Sequence, residues 1–155
     1  MAEELKARLR ADLTTALKAR DQVVASTIRM ALTAITNAEV AGKQARTLTD
    51  GEVVAVLVKE AKQRAEAAQA YAAAGRTEAA EREQAEGEVL RRYLPQPLTE
   101  AELEVLIGEA VAAAQAAGLV RGRAMGAVMG ALRPATAGRV DGAELAAAVQ
   151  RRLGR

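Results

Sequence analysis

Tyr71 and Tyr93 are the only aromatic side chains in 155 residues, and the chain has no Phe, Trp, Cys or His. That absence constrains the fold more than any motif does. A core without aromatic rings must be filled by Leu, Val, Ile, Met and much Ala. Alanine buries little area per residue, so backbones have to approach closely over long stretches. Helices packed along small-residue faces achieve this, and the apolar residues recur at helical spacing. Leu5, Leu9, Leu13 and Leu17 are four apart, and Val24, Ile28, Ala31, Ile35 and Ala38 form a second stripe. No period-2 alternation is long enough for a strand.

The pattern predicts seven helices. The first covers 2–20, and Asp21 caps a second over 22–41 that Gly42 stops. Thr49-Asp-Gly-Glu52 has the spacing of a capping box and opens a long helix to about Ala74, ended by Gly75. Val53, Val54, Leu57, Ala61, Ala65 and Ala68 face inward on it, and Glu60, Lys62, Gln63, Arg64 and Glu66 face mostly outward. Thr77 is expected to cap a fourth helix rich in Glu and Arg. Pro95-Gln-Pro97 forbids helix continuation. The expected organisation is therefore all-α and two-part, with an N-terminal helical domain over 1–94 and a small C-terminal helical domain over 98–155. In the second part, Thr99-Glu-Ala-Glu102 opens a fifth helix to about Ala117. A sixth spans roughly 123–132 before Pro134, and a seventh runs from Asp141 to about Leu153.

The missing residue types also exclude chemistry. Without Cys or His there are no disulfides, thiol nucleophiles, imidazole bases or Cys/His zinc sites. Ser26 is the sole serine and lies mid-helix with no base to activate it. Glu81, Glu83, Glu86 and Glu88 are dense on one helix but are interleaved with Arg82, Arg91 and Arg92, which reads as surface ion pairing. No catalytic residue, cofactor site or metal site is expected. The start, Met1-Ala-Glu-Glu-Leu-Lys6, has no apolar leader, and no run approaches the roughly 20 apolar residues of a membrane span. A soluble cytoplasmic protein without membrane contact is expected.

Charge is distributed unevenly. From Gly118 to Arg155 there are seven arginines against Asp141 and Glu144, whereas Leu98 to Ala117 holds four glutamates and no base. A cationic end built from Arg alone favours forked contacts to phosphate or carboxylate. Within it, Gly122, Gly126 and Gly130 repeat every four residues. Each glycine costs a helix about 1 kcal/mol relative to alanine, so three on one stripe imply close backbone approach. The spacing points first to packing against a neighbouring helix. The alternative is a flat surface for a phosphate backbone or a partner helix. Gly138-Arg-Val-Asp-Gly142 reads as a turn followed by a helix cap at Asp141, with Arg139 available for an anion beside a helix N-terminus.

In order along the chain, Ile28-Arg-Met30, Leu48-Thr-Asp50, Val58-Lys-Glu60, Lys62-Gln-Arg64, Tyr93-Leu-Pro95, Met125-Gly-Ala-Val-Met-Gly130 and Gly138-Arg-Val-Asp-Gly142 resemble the YqeY family. That family is related to the tail domain of the tRNA-dependent amidotransferase B subunit (GatB/YqeY). The resemblance covers essentially the whole chain. It implies an all-helical fold in two parts and a link to glutamine-dependent amidation of misacylated tRNA, a carbon–nitrogen ligase reaction that takes place elsewhere on the amidotransferase. In that enzyme the tail grips the body of the tRNA. One departure bears on charge: Ala137 and Val140 stand where the family often has a basic and a small residue, which leaves Arg139 as the charge of that motif. The expected activity is non-catalytic tRNA binding through Arg121, Arg123, Arg133, Gly138, Arg139 and Gly142. The alternative is an adaptor that docks on an amidotransferase or aminoacyl-tRNA synthetase without touching RNA.

Overall fold

The structure is a computed structural model and describes residues 4–154. Among these residues all regular secondary structure is α-helical. The chain divides into two compact units, Met1–Leu94 and Pro95–Arg155. No helix is long and apolar enough to cross a membrane among the described residues.

The first unit contains α1 (Glu4–Ala19), α2 (Gln22–Glu39), α3 (Asp50–Ala73) and α4 (Thr77–Arg91). Its core joins Leu9 of α1, Ile28 and Ile35 of α2, Val53 and Leu57 of α3, and Val89 and Leu90 of α4, with Leu48 and Tyr93 added from outside the helices. Burying each large aliphatic side chain contributes about 1.5–3 kcal/mol. Asp21 accepts from Val24 N at 3.2 Å and caps α2. That helix stops at Glu39, short of Gly42, and Glu39 has another task. Its carboxylate accepts from Lys6 Nζ of α1 and from the Leu48 amide at 3.1 Å, while its carbonyl accepts from Arg46 N. Asp50, the first residue of α3, in turn accepts from Leu5 N at 3.3 Å, so the start of α3 binds the first turn of α1.

The Thr49–Glu52 capping box forms as expected. The Thr77 cap does not: α4 has Arg76 at the cap position, and no side chain satisfies its first amides. Gly75 lies in the left-handed region at φ 73°, which lets α3 turn directly into α4. Away from the unit's core, the buried residues of this hairpin shrink to Ala68 and Ala80. Arg64 corrects the sequence reading. Its side chain is only 15 % exposed and sits against Glu60, Glu83 and Glu86, at 3.9, 3.6 and 3.4 Å. The acids of α4 therefore gather around a cation from α3.

The second unit contains α5 (Glu100–Ala116), α6 (Arg121–Thr136) and α7 (Gly142–Leu153). Ile107 and Val111 pack with Ala124, Val128 and Leu132 of α6 and with Leu145 and Val149 of α7. The Thr99–Glu102 capping box starts α5. Helix α6 begins two residues before the expected Arg123 and runs through Pro134 to Thr136. Proline is accommodated because it falls in the last turn, where the missing amide leaves the carbonyl of exposed Gly130 to solvent.

Candidate nucleic-acid interface on the C-terminal unit

Helix α6 buries Ala124, Val128, Leu132 and Thr136. Its opposite face is almost bare. Gly122, Gly126 and Gly130 are exposed, and a methyl group added at any of them would meet nothing within 4 Å. This overturns the packing reading of the stripe within the C-terminal unit: the glycines are exposed, and among the described residues nothing lies within 4 Å of where their Cβ atoms would be. At 100° per residue, the three glycines, Arg123 and Arg133 share one arc of roughly 100° on the exposed side. Both arginines are exposed, and α6 carries no acidic residue. A rise of 1.5 Å per residue puts Arg123 and Arg133 about 15 Å apart along the axis. The outcome is a strip of exposed backbone with a forked cation towards each end.

Arg121 is exposed and opens the helix with φ 50°. Left-handed backbone is unfavourable for a residue with a Cβ by about 1–2 kcal/mol, and glycine would adopt it freely. An arginine therefore occupies a position where the local backbone favours glycine.

Gly138 and Arg139 lie in the turn between α6 and α7 and Gly142 is the first residue of α7, apart from this strip in sequence and in task. Gly138 has φ 72° and needs the left-handed region. The Arg139 Nε donates to the Gln96 carbonyl at 2.9 Å, and the Arg139 carbonyl accepts from Leu98 N at 3.0 Å. Its charge also helps hold the Glu102 carboxyl below its ordinary value, after the larger effects of the Thr99 amide and hydroxyl. Arg139 is thus a tie between the turn and the segment leading into α5. Asp141 accepts from the amides of Ala143 and Glu144, at 3.0 and 3.2 Å. The anion seat at the start of α7 is taken by the chain's own carboxylate. Gly142 adds only exposed backbone.

Sequence reasoning grouped six residues. The structure places Arg123 and Arg133 on one face of α6, Arg121 at its strained start, Gly138 and Arg139 in a turn with its own structural duties, and Gly142 at the start of α7. The open face of the glycine stripe was the alternative reading of the sequence and packing the first, because spacing alone cannot say which side of a helix the core occupies. The buried neighbours at 124, 128 and 132, themselves four apart, carried that information.

The model of the family described as Yqey-like protein matches residues 6–153. The uncharacterized protein C22F3.15 of Schizosaccharomyces pombe is 36 % identical over 93 residues, which cover 59 % of this chain and 73 % of that protein. The match to the family model spans both units, the bare face of α6 and the α6–α7 turn, and the chain belongs to the Yqey-like protein family.

Proposed function

We propose that the chain is a non-catalytic RNA-binding module that contacts tRNA through phosphate and shape, and that it is linked to tRNA-dependent amidation through partner subunits. One observation carries the reading: the exposed face of α6 is stripped to backbone between Arg123 and Arg133. Three exposed helix glycines cost about 1 kcal/mol each relative to alanine, and among the described residues nothing within 4 Å of their open positions offsets that cost. A ligand backbone that must come close to the helix accounts for that cost. Arginines at both ends and the lack of acids on α6 favour a phosphate backbone over a neutral helix. Tyr93 is buried, which leaves little aromatic surface for base stacking and favours a structured RNA over a single strand.

The test is tRNA binding across a salt series for the native chain, Arg123→Glu and Arg133→Glu. Each phosphate contact contributes about 0.9 to the slope of log K against log salt in duplexes, so losing one arginine should lower the slope by about 1. Equal affinity and slope in all three proteins would remove α6 from the interface. The competing reading, an adaptor for an amidotransferase or aminoacyl-tRNA synthetase, uses the same bare strip for a partner helix. It requires that the partner survive nuclease treatment in a pull-down and that tRNA fail to bind.

A further inference from the structure

The N-terminal unit holds a cleft of about 330 Å³ between α1, the start of α2 and the end of α4. Its polar lining is Arg8, Asp12, Thr15, Asp21, Arg92 and Tyr93. We propose that this cleft is an anion site that seats a phosphate group between Arg8 and Arg92, with Asp12 accepting from a hydroxyl next to that phosphate.

Both acids of the cleft are engaged by the fold. Asp12 Oδ2 accepts from the Tyr93 phenol at 2.6 Å, and Asp21 caps α2 through Val24 N. The arginines are not used up in the same way. The Arg8 guanidinium lies over the Tyr93 ring, 4.8 Å from its centre, which fixes its plane. Its Nε is 3.9 Å from Asp12, too long for a hydrogen bond, and one terminal nitrogen makes a long 3.4 Å contact with the Arg92 carbonyl. A guanidinium carries five N–H donors, so most of those on Arg8 remain open. Its side chain is 54 % exposed. Arg92 is exposed and makes no ion pair among the described residues.

Both guanidinium groups act on the same point. Burial, then the hydrogen bond from the phenol to Asp12, push Tyr93 well above its ordinary range, while the charges of Arg8 and Arg92 oppose the rise. The phenol therefore stays protonated and keeps Asp12 Oδ2 occupied. Asp12 Oδ1 is left as an acceptor beside two open forked donors. A phosphate that carries its own proton, or one flanked by a ribose 2′-hydroxyl, matches that arrangement. A bare dianion would meet Asp12 with nothing to give it. The shared chemistry is a phosphate with a neighbouring hydroxyl donor. Its sources are a small phosphate compound or an RNA strand. The residues of the site belong to the N-terminal unit, and its argument does not depend on the reading given for α6.

Replacing Tyr71 by Leu makes Tyr93 the sole fluorophore of the chain. In that protein, inorganic phosphate titrated at constant ionic strength should produce a saturable change in Tyr93 emission, with calorimetry on the native chain as a second reading. Arg92→Ala should weaken phosphate at least tenfold with an unchanged helical spectrum. Arg8→Lys keeps the charge but loses the fork and the stacking, and should weaken it at least fivefold. A 12-nucleotide RNA and its DNA counterpart distinguish the sources. If RNA is the source, Arg92→Ala lowers RNA affinity and the native chain prefers RNA to DNA. If a small phosphate compound is the source, Arg92→Ala abolishes the phosphate response and leaves RNA affinity unchanged. Arg123→Glu should leave the phosphate response intact in either case, so failure at α6 remains distinguishable from failure here. No saturable phosphate response in the native chain, or full retention of phosphate and RNA by Arg92→Ala, overturns the proposal.

Discussion

The Arg139 Nε donates to the Gln96 carbonyl at 2.9 Å, while the Arg139 backbone carbonyl accepts from Leu98 N. One residue thus closes the α6–α7 turn onto the segment that leads into α5. Its loss should be felt first as stability. Arg139→Ala is expected to lower unfolding stability by about 1 kcal/mol, the net value of a partly exposed hydrogen bond. Urea unfolding measures this, and any change in tRNA affinity has to be read on protein shown to be folded under the assay conditions.

The glycine strip makes stability and binding move in opposite directions. Gly126→Ala adds a methyl group to open space and removes a poor helix former, so it should stabilise α6 by about 1 kcal/mol. Gly126→Leu should fold equally well. If a ligand backbone approaches this face, affinity falls from Gly to Ala to Leu while the melting temperature does not fall. Unchanged tRNA affinity in Gly126→Leu would show that nothing comes close to the strip.

Arg121→Gly separates backbone strain from charge. Glycine relaxes the φ of 50°, so stability should hold or rise by up to about 1 kcal/mol. Gly138→Ala is the opposite case. Its φ of 72° admits a Cβ only with strain, and a loss of about 1–2 kcal/mol is expected. Thermal melts of the two variants should shift in opposite directions or, for Arg121→Gly, not at all.

Acid stability should depend on three carboxylates. Glu52 is held down to about 2 by Arg46 and then by the Thr49 amide. Glu39 is lowered by Lys6 and then by the Leu48 amide, and Glu102 by the Thr99 amide. All three bind protons more readily in the unfolded chain. Their contribution is therefore full above the unfolded value of about 4.3 and is lost as pH falls through the folded values. Urea midpoints should drop below pH 4.3 and continue dropping towards pH 2, and Glu52→Gln should make that fall shallower.

Arg64 is the cation among Glu60, Glu83 and Glu86. Arg64→Leu leaves three carboxylates facing one another and should cost about 2–3 kcal/mol, discounted for the group's partial exposure. Combining it with Glu83→Gln and Glu86→Gln should recover part of that loss. A thermodynamic cycle on the native chain, Arg64→Leu, the Glu83→Gln/Glu86→Gln pair and the triple variant measures the coupling, and purely additive effects would mean that the cluster contributes nothing as a unit.

Helices were legible in the sequence because their markers are local. Thr49 with Glu52, Thr99 with Glu102, and Asp21 and Asp141 as caps can be read within a few residues, and each forms. The errors have longer range. Arg64 looked solvent-facing because Glu83 and Glu86 lie about twenty residues away across a turn. Arg139 looked free because its acceptor, Gln96, is 43 residues earlier. The pairing of Asp12 with Tyr93 spans 81 residues and leaves no periodic trace. The glycine stripe was visible, but its outward direction depended on how α6 turns toward α5 and α7.

The tapering core of the α3–α4 hairpin also bears on time. Leu57, Val89 and Leu90 are buried towards the body of the unit, and only alanines, Ala68 and Ala80, are buried towards the turn. The free energy needed to open the hairpin therefore decreases along its length. Amide protons near Gly75 should exchange with solvent through brief local fraying, while those near Leu57 should wait for the whole unit to unfold. The hairpin would then melt like a zipper with a weak end, and the order in which its amides exchange would record the change from leucine to alanine.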